Sequence, residues 1–433
     1  MSSKPAIGFC GLGAMGFGMA THLIKQGYTV TGFDVWAPTL EKFKAAGGTP
    51  STSLSESAKD KQYYICMVAT AQQAQTAIFG DDGIVKGLPK GATLLLTSTV
   101  PSAYAKSVEK ELKDIGRDDI FFIDAPVSGG AIRAADGTLS IMAGASSEAI
   151  SKGKFLLDEL TAPSKLFIVE GGVGGGSNLK MVHQVLAAIQ ILAVSEAFGF
   201  AARLGLNGKD VREAVIAGKA WSWMFENRSV RTLSEDYFPG ASAVTIILKD
   251  TGIITSTARL HNFPTPLCSI AEQVYLAGLD KGFGPQDDAG LVRLWTNTPV
   301  SSIESTLSDS EKQSKLDLVT DLLAAIHLVS AVESITFAKH VGLPLPQLYE
   351  LAVEAAGGSA MFKEFGAKII PVLEGEDSGE GNVLEEYLQG LKKAVEEAQS
   401  MKCPLFLGSG TLNLLLQAGK SEDLASLLKL YTV

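Results

Sequence analysis

The sequence predicts a doubly wound α/β domain with a mostly parallel sheet, followed by an all-α domain that is duplicated in tandem. The first third of the chain alternates short apolar runs with helical patterns, and from about residue 176 long helical patterns take over. Part of the helical region then recurs farther along the chain. The predicted domains are an α/β domain (1–174), a helical domain (175–298), a linker (299–314) and a second helical copy (315–433).

Continuous apolar runs are the predicted strands of the α/β domain. They are not alternating, which is typical of parallel strands covered on both faces. The predicted strands are 6–11, 29–34, 63–69, 93–99, 120–126, 139–144 and 165–170, with helices at 14–26, 38–46 and 102–115. This alternation of strand and helix favours a doubly wound domain.

The helical region repeats at nearly fixed spacing. "LAAIQILAVSEAFGFAARLGL" (186–206) is similar to "LAAIHLVSAVESITFAKHVGL" (323–343), 137 residues later. Met224 and Phe225 match Met361 and Phe362 at the same offset, which indicates a duplicated domain and not a solenoid. A Ser-rich, charged stretch between the copies predicts a linker.

Bulk composition excludes some classes of function. A net charge of −10 makes a nucleic-acid surface unfavourable. No run of 18 or more uncharged apolar residues is evident, so we expect no membrane span. The N-terminus leads almost directly into a strand, which leaves no room for a secretory signal. Four cysteines without a CxxC pair favour a reducing compartment, so we expect a cytoplasmic protein. The histidines form no metal-like cluster, and we predict no metal.

A glycine-rich turn follows the first predicted strand. A GxGxxG pattern between a strand and a helix can hold a pyrophosphate at the helix N-terminus. The second strand ends in an acid that can accept hydrogen bonds from both ribose hydroxyls, and no arginine follows to pair with a 2′-phosphate. NAD is therefore favoured over NADP. The predicted cofactor-binding residues of this region are Gly11, Gly13, Ala14, Met15, Gly16 and Asp34.

Polar loops follow three further strands. Val68 lies after the third strand, and Ser98 and Thr99 after the fourth, where the carboxyl ends of parallel strands line a crevice. Ser98 and Thr99 are candidate contacts to a nicotinamide ribose. "DAPVSGGAIRAADGTL" (124–139) places Ser128, Gly129 and Gly130 after the fifth strand, where a hydroxyl and open backbone N–H groups can bind a carboxylate. An ordinary glycine-rich turn is the alternative.

Lys180 stands in the first turns of a long apolar helix. Lys180, His183 and Gln184 share one face with Ala187 and Ile191. A lysine held between apolar walls and a cationic nicotinamide would have a lowered pKa and would accept a proton from an alcohol. A solvated lysine near a helix N-terminus is the alternative, and His183 is read as structural or as a second polar contact.

Two other segments leave their roles open. Lys249 and Asp250 end an apolar run in "TIILKDTGI" and form either a solvated pair or part of a site. The cluster from Trp221 to Phe225 in "AWSWMFENR" is either core or the lid of a substrate pocket.

"GFCGLGAMGFGMATHL", "DAPVSGGAIRAADGTL", "GVGGGSNLKMVHQ" and "LKDTGI" resemble, in this order, the 3-hydroxyisobutyrate dehydrogenase-type β-hydroxyacid dehydrogenases. The resemblance covers residues 5 to about 298, and "FENR" and Gln184 are similar to the L-threonate dehydrogenase branch. It implies a Rossmann domain that holds NAD, with Val68 and Thr99 flanking the nicotinamide half. It also implies that the catalytic lysine is Lys180. The implied substrate-binding residues are Ser128, Gly129, Gly130, Gln184 and Lys249, the last also lying near the cofactor.

The implied reaction is NAD-dependent oxidation of a small polar hydroxy acid. Gln184 stands where most of the family has Asn, which leaves the substrate open among L-threonate, D-glycerate with tartronate semialdehyde, and 3-hydroxyisobutyrate. A non-catalytic NAD-binding scaffold is the alternative from another class, against which the retained Lys180 argues.

The second helical copy departs from the usual architecture of the family. Asp317 replaces Lys180 and, by the flanking match, roughly Tyr387 replaces Lys249. We therefore expect residues 315–433 to be a structural partner that takes the place of a neighbouring subunit, as the doubled helical domain of 6-phosphogluconate dehydrogenases suggests. A monomer or a homodimer would follow.

Overall fold

A computed structural model describes residues 4–376, 383–419 and 423–432. The chain forms two compact units, Met1–Met181 and Val182–Val433. The boundary lies seven residues after the predicted one at 174, inside a helix that begins at Gly175.

The first unit is built on parallel strands separated by helices. The strands in its described residues are β1 Ile7–Cys10, β2 Val30–Phe33, β3 Thr49–Ser51, β4 Tyr63–Cys66, β5 Thr93–Leu96, β6 Phe121–Asp124, β7 Val127–Ser128, β8 Leu139–Ala143 and β9 Thr161–Ile168. Six of them form a sheet with the order β3-β2-β1-β4-β5-β6, in which every pairing is parallel. A smaller sheet has the order β7-β8-β9.

Helices of the first unit follow these strands. They are α1 Ala14–Lys25, α2 Ala37–Ala45, α3 Leu54–Ala58, α4 Ala71–Phe79, α5 Ile84–Gly87, α6 Ser102–Asp114, α7 Gly130–Asp136, α8 Ser147–Leu160 and the start of α9 Gly175–Arg203. All seven predicted strands and the three predicted helices are present. The short edge strand β3 and the two-residue β7 were not predicted, because neither carries an apolar run.

Successive side chains of the central strands pack on opposite faces of the sheet. Ile65 and Leu95 belong to one buried cluster with Phe9, whereas the adjacent Tyr64 and Leu94 belong to another. Both faces are therefore covered, which explains why these strands read as continuous apolar runs.

The described residues of the second unit form helices joined by loops, with no named strand among them. Its helices are the remainder of α9, α10 Gly208–Ala217, α11 Trp223–Ser234, α12 Val244–Leu260, α13 Pro266–Asp280, two short 3₁₀ helices at Asp288–Leu294 and Val300–Ser302, α14 Asp309–His340, α15 Leu345–Glu354, α16 Ala360–Glu374, α17 Glu385–Ser400, α18 Phe406–Gln417 and α19 Leu424–Lys429. Helix α14 begins at Asp309 with a Ser308–Glu311 capping box, so the last residues of the predicted linker are helical.

The two copies form the same series of helices, α9 to α13 and α14 to α18. Ser222 caps α11 and Ser359, 137 residues later, caps α16 in the same way. The two serines also face each other in an antiparallel bridge, in which Trp223 N–H donates to the Gly358 carbonyl (2.9 Å) and Ala360 N–H to the Trp221 carbonyl (3.0 Å). The copies thus pair reciprocally within one chain.

The ends of α12 and α17 show that the residue predicted to match Lys249 in the second copy was wrong. Phe263 N–H bonds the Ala258 carbonyl after α12, and Cys403 N–H bonds the Ala398 carbonyl after α17. These equivalent bonds lie 140 residues apart in the chain, whereas the earlier helices of the two copies are offset by 137. At an offset of 140, Lys249 matches Gln389 and not Tyr387.

Helices α9 and α14 are long and apolar enough to cross a membrane by length and composition alone. Of their most apolar windows, 94% in α9 and 83% in α14 is buried within the protein. Such burial is that of core helices, which pass the same test of length and composition.

Candidate functional site

The turn between β1 and α1 is shaped for the close approach of a phosphate. An added Cβ at Gly11 would lie 2.0 Å from the Met67 carbonyl oxygen, and Gly11 has a φ of +85°. An added Cβ at Gly16 would lie 1.9 Å from the Gly11 carbonyl oxygen. At Gly13, by contrast, it would meet no atom of the described protein within 4 Å, so the space beside this residue is open. The open space lies at the N-terminus of α1, with Ala14 and Met15 in its first turn, and a helix N-terminus favours an anion such as a phosphate.

Asp34 is held firmly at the end of β2. Its Oδ2 accepts the N–H of Leu12 (2.6 Å), and its Oδ1 accepts the N–H of Trp36 (2.8 Å). The first bond ties the acid to the glycine-rich turn.

Val68 and Thr99 follow the carboxyl ends of β4 and β5. Because the sheet order places β2, β1, β4 and β5 side by side, the predicted cofactor-binding residues of the first unit lie along one edge of it. The prediction that Ser98 contacts a nicotinamide ribose is wrong. Its side chain is fully buried, and its hydroxyl accepts the N–H of Val68 (2.8 Å), so it supports that loop instead of facing a ribose.

The predicted carboxylate loop joins β7 to α7. Ser128 is buried and pairs with Ser140 of β8. Gly129 and Gly130 have φ values of +140° and +74°, which L side chains rarely adopt. An added Cβ at Gly130 would meet no described atom within 4 Å, so its backbone is open to a ligand.

Lys180 lies in the second turn of α9, and its side chain is only 5% exposed. Lysines that serve only as surface charges are mostly exposed, so this burial disfavours the alternative of a solvated lysine. The turn before it is anchored by Asp124, whose carboxylate accepts bonds from Gly174 and Ser177. Burial raises the pKa of Asp124 to about 6, against the lowering effect of these hydrogen bonds. The role of Asp124 gave no signal in the sequence.

In the second unit, Asp250 links two predicted residues. Gln184 Nε2 donates to its Oδ2 (2.6 Å), and Lys249 Nζ forms an ion pair with its Oδ1 (2.9 Å). Asp250 is buried. The pair at 249–250 is therefore part of a polar cluster and not a solvated surface pair.

His183, which follows Lys180 by one helical turn, is fully buried. Its Nε2 accepts the N–H of Gly357 (3.0 Å), which lies in the second copy. Nε2 therefore carries no proton, and the neutral ring carries its proton on Nδ1. The nearby Gln190 donates to the carbonyl of the same glycine (3.0 Å).

The Trp221–Phe225 segment belongs to the core and to the pairing of the copies. Phe225 is fully buried and stacks on Phe198, with ring centroids 5.3 Å apart. The half-buried Trp221 donates from Nε1 to Glu226 (2.8 Å).

In the second copy, the position of Lys180 is taken by Asp317, which is exposed. Asp321 stands where Gln184 stands in the first copy, and it pairs with Lys219 (3.1 Å). Lys219 also pairs with Glu386 (2.6 Å). The second copy therefore has no lysine at this position, and Asp321, Lys219 and Glu386 form an ion-pair network beside it.

A cavity of about 470 Å³ lies elsewhere, among residues 202–203, 293–298 and 303. None of the predicted site residues lines it. Arg293 in its wall is already held between Tyr237 and Phe283 and donates to Gly290, so we assign this cavity no role in the chemistry. No group of three or more His, Cys, Asp or Glu side chains within the described residues is placed to hold a metal ion.

Comparison with known proteins decides the family. The model of the NAD binding domain of 6-phosphogluconate dehydrogenase matches residues 6–172. A second, described as NAD-binding of NADP-dependent 3-hydroxyisobutyrate dehydrogenase, matches twice, over 174–295 and 314–431. This chain belongs to the 3-hydroxyisobutyrate dehydrogenase-type β-hydroxyacid dehydrogenases. It is thus an NAD(P)-dependent oxidoreductase acting on hydroxy acids, as the sequence motifs indicated.

Several relatives align with about two thirds of this β-hydroxyacid dehydrogenase. L-threonate dehydrogenase from Cupriavidus necator is 34% identical over 67% of this chain and 95% of its own length. The mitochondrial 3-hydroxyisobutyrate dehydrogenase of Mus musculus is 31% identical over 66% of this chain and 86% of its own. The crystal structure of 3-hydroxyisobutyrate dehydrogenase from Salmonella typhimurium superposes with a TM-score of 0.63 at 32% identity, covering 67% of this chain and all of that one.

One solved structure spans almost the whole dehydrogenase. The 6-phosphogluconate dehydrogenase of Plasmodium falciparum covers 98% of this chain and 94% of its own, with a TM-score of 0.70 at 16% identity. At that identity the likeness concerns the fold alone, and it extends the shared architecture through the tandem helical copies.

Proposed function

We propose that this dehydrogenase oxidises a small polar hydroxy acid of the L-threonate type to the corresponding oxo acid. The observation that carries the proposal is the group of L-threonate dehydrogenases that are 32–35% identical to this chain over 67–69% of its length. The 3-hydroxyisobutyrate dehydrogenases, at 31%, support a second candidate substrate. Gln184 carries a longer amide than the usual Asn of the family, and this difference bears on the choice between them.

In this proposal NAD is the cofactor, and when bound it accepts the hydride that leaves the substrate carbon. The Gly11–Gly16 turn holds the pyrophosphate, and Asp34 accepts hydrogen bonds from the ribose hydroxyls. The fixed carboxylate of Asp34 would repel a 2′-phosphate, which favours NAD over NADP. Val68 and Thr99 flank the nicotinamide half.

Lys180 is the proposed general acid/base. In the oxidation its neutral amine accepts the hydroxyl proton at Nζ, and in the reverse direction the ammonium group returns it. Ser128, Gly129 and the open backbone of Gly130 bind the substrate carboxylate in this proposal. Gln184 and Lys249 are proposed as further substrate contacts.

A first experiment measures NADH formation from NAD with L-threonate, D-glycerate and 3-hydroxyisobutyrate. We expect turnover with at least one acid and a fall of roughly 10²–10⁴-fold in kcat for Lys180→Ala. Lys209→Ala, an exposed lysine on α10, is the matched control and should leave kcat unchanged. NAD binding without turnover on any acid would favour the scaffold alternative. Full activity in Lys180→Ala would refute the role of the lysine.

We further propose that the second copy takes the place of a neighbouring subunit's helical domain, so that the protein is a monomer or a homodimer. The reciprocal bonds between residues 221–223 and 358–360 support this, because each copy uses the same segment toward the other. Analytical ultracentrifugation tests it, and a tetramer would contradict it. A cytoplasmic location is also proposed, which fits four free, buried cysteines.

A further inference from the structure

A fully buried carboxylate, that of Asp124, ends strand β6. Its Oδ2 accepts the N–H of Gly174 (3.1 Å) and of Ser177 (2.8 Å), and its Oδ1 accepts the hydroxyl of Ser177 (2.6 Å). One donor, Gly174, directly precedes α9, and Ser177 lies in the first turn of α9; both residues belong to the first unit. Such a carboxylate is expensive to bury, and here its hydrogen bonds all converge on one helical turn.

The position of Asp124 in the chain connects two parts of the proposed chemistry. It precedes Ser128 of the carboxylate loop by four residues, and its partner Ser177 precedes Lys180 by three. The backbone of Asp124 is itself fixed, because it exchanges two hydrogen bonds with Gly144 (3.1 and 2.8 Å). A single residue therefore holds both the strand that leads to the loop and the turn that leads to the lysine.

The backbone at the start of α9 also lies in close contact with the ends of two strands. An added Cβ at Gly176 would lie 2.6 Å from the carbonyl oxygen of Asp124 and 2.3 Å from that of Met142. The first turn of α9 is thus packed directly on the strand ends. The carboxylate of Asp124 holds the same turn by hydrogen bonds.

We propose that Asp124 is a positioning residue of this dehydrogenase, whose carboxylate sets where Lys180 lies relative to the Ser128–Gly130 loop. This inference rests on the proposed function, because it takes Lys180 as the proton-transfer group. Misplacement of a reacting group by about 1 Å can cost roughly 10²-fold in rate. A loosened first turn would therefore lower kcat without removing any group that touches substrate.

Replacement by Asn separates hydrogen bonding from charge. In Asp124→Asn the amide oxygen still accepts both N–H bonds and the amide nitrogen donates to the Ser177 hydroxyl, so the turn stays anchored. Asp124→Ala removes every anchor, and Ser177→Ala removes one. Thr93→Val, at a buried threonine that begins β5, is the control for general loss of stability.

The experiment measures kcat, KM, NADH affinity and amide hydrogen exchange of residues 174–181 in these variants. For Asp124→Ala we expect kcat to fall roughly 10²-fold, with faster exchange in this segment and NADH affinity retained. Asp124→Asn should restore slow exchange and most of kcat. Thr93→Val should lower Tm while leaving kcat and the exchange of 174–181 unchanged.

The inference would be overturned by a native kcat in Asp124→Ala despite faster exchange, or by a native exchange rate in that variant. Lack of restoration by Asn would overturn it as well, since geometry would then not be what Asp124 supplies. If the native chain oxidises none of the acids, the proposed function fails separately, and the exchange data alone decide whether Asp124 holds the turn.

Discussion

Glu196 and Glu333 occupy the same position in the two helical copies, and each carboxylate binds the start of a helix in the other copy. Glu196 accepts the N–H groups of Leu407 (3.0 Å) and Gly408 (2.8 Å). Glu333 accepts those of Leu267 (3.0 Å) and Cys268 (2.9 Å). Both side chains are fully buried. The duplicated domain is thus held together by two equivalent carboxylate caps.

We predict that removing either cap destabilises the protein. Glu196→Ala leaves two buried N–H groups unpaired at the start of α18, and Glu333→Ala does the same at α13. An unsatisfied buried donor costs ~1–3 kcal/mol, so urea denaturation should show a loss of at least this size. Glu350→Ala, at an exposed position of α15, should change little. Equal midpoints for all three variants would contradict the prediction.

The same two carboxyl groups predict a pH dependence of stability. Burial raises the pKa of Glu196 and of Glu333 to about 7, above the ordinary value of 4.5. The folded state then binds more protons than the unfolded state between these values, so their contribution to stability is complete below pH 4.5 and declines until about pH 7. His327 acts in the opposite sense, because burial lowers its pKa from 6.5 to about 3. The unfolded state therefore binds more protons than the folded state between these values, and the folded protein loses stability as the pH falls below 6.5.

Comparison with a variant isolates the carboxylates from other groups. The difference in unfolding free energy between the native chain and Glu196→Gln/Glu333→Gln should change in favour of the variant as the pH rises from 5 to 7. Chemical denaturation across this range measures it, and His327 cancels because both proteins carry it. A difference that stays constant with pH would show that these carboxyl groups do not titrate in this range.

Gly11 and Gly13 should respond differently to substitution by Ala. At Gly11 an added Cβ lies 2.0 Å from a carbonyl oxygen, so Gly11→Ala should lower Tm and impair folding. At Gly13 the protein leaves the space open, so Gly13→Ala should keep Tm but lower NADH affinity by about tenfold, or ~1.4 kcal/mol. Thermal unfolding and fluorescence titration measure the two effects. An unchanged affinity in Gly13→Ala would place the pyrophosphate elsewhere.

Asp34 should decide between NAD and NADP. Its carboxylate is fixed by two backbone N–H groups, so we expect the native chain to prefer NAD. Asp34→Ser removes the charge that repels a 2′-phosphate and should narrow this preference, chiefly through a lower KM for NADP. The ratio of kcat/KM for the two cofactors is the measurement. An unchanged ratio would mean that another residue sets the choice.

How much of the site was accessible to sequence analysis differs between its parts. The glycine-rich turn, Asp34 and the 128–130 loop were predicted because local spacing after a strand carries that information. Asp124 was missed, since a lone acid at a strand end gives no signal until its partners 50 and 53 residues away are known. Ser98 was misread for the same reason, because burial is a property of the fold and not of the tripeptide.

By itself, the sequence determined the strands, the long helices and the existence of a second helical copy, because each rests on a pattern within a short window or on a constant offset. Tertiary structure alone decided that Glu196 and Glu333 cap each other's copies and that Gly357 fixes the tautomer of His183. It also decided that Asp250 links Gln184 with Lys249. Periodicity fixes which face of a helix is buried, but the partner of a buried polar group is chosen only when distant segments pack together.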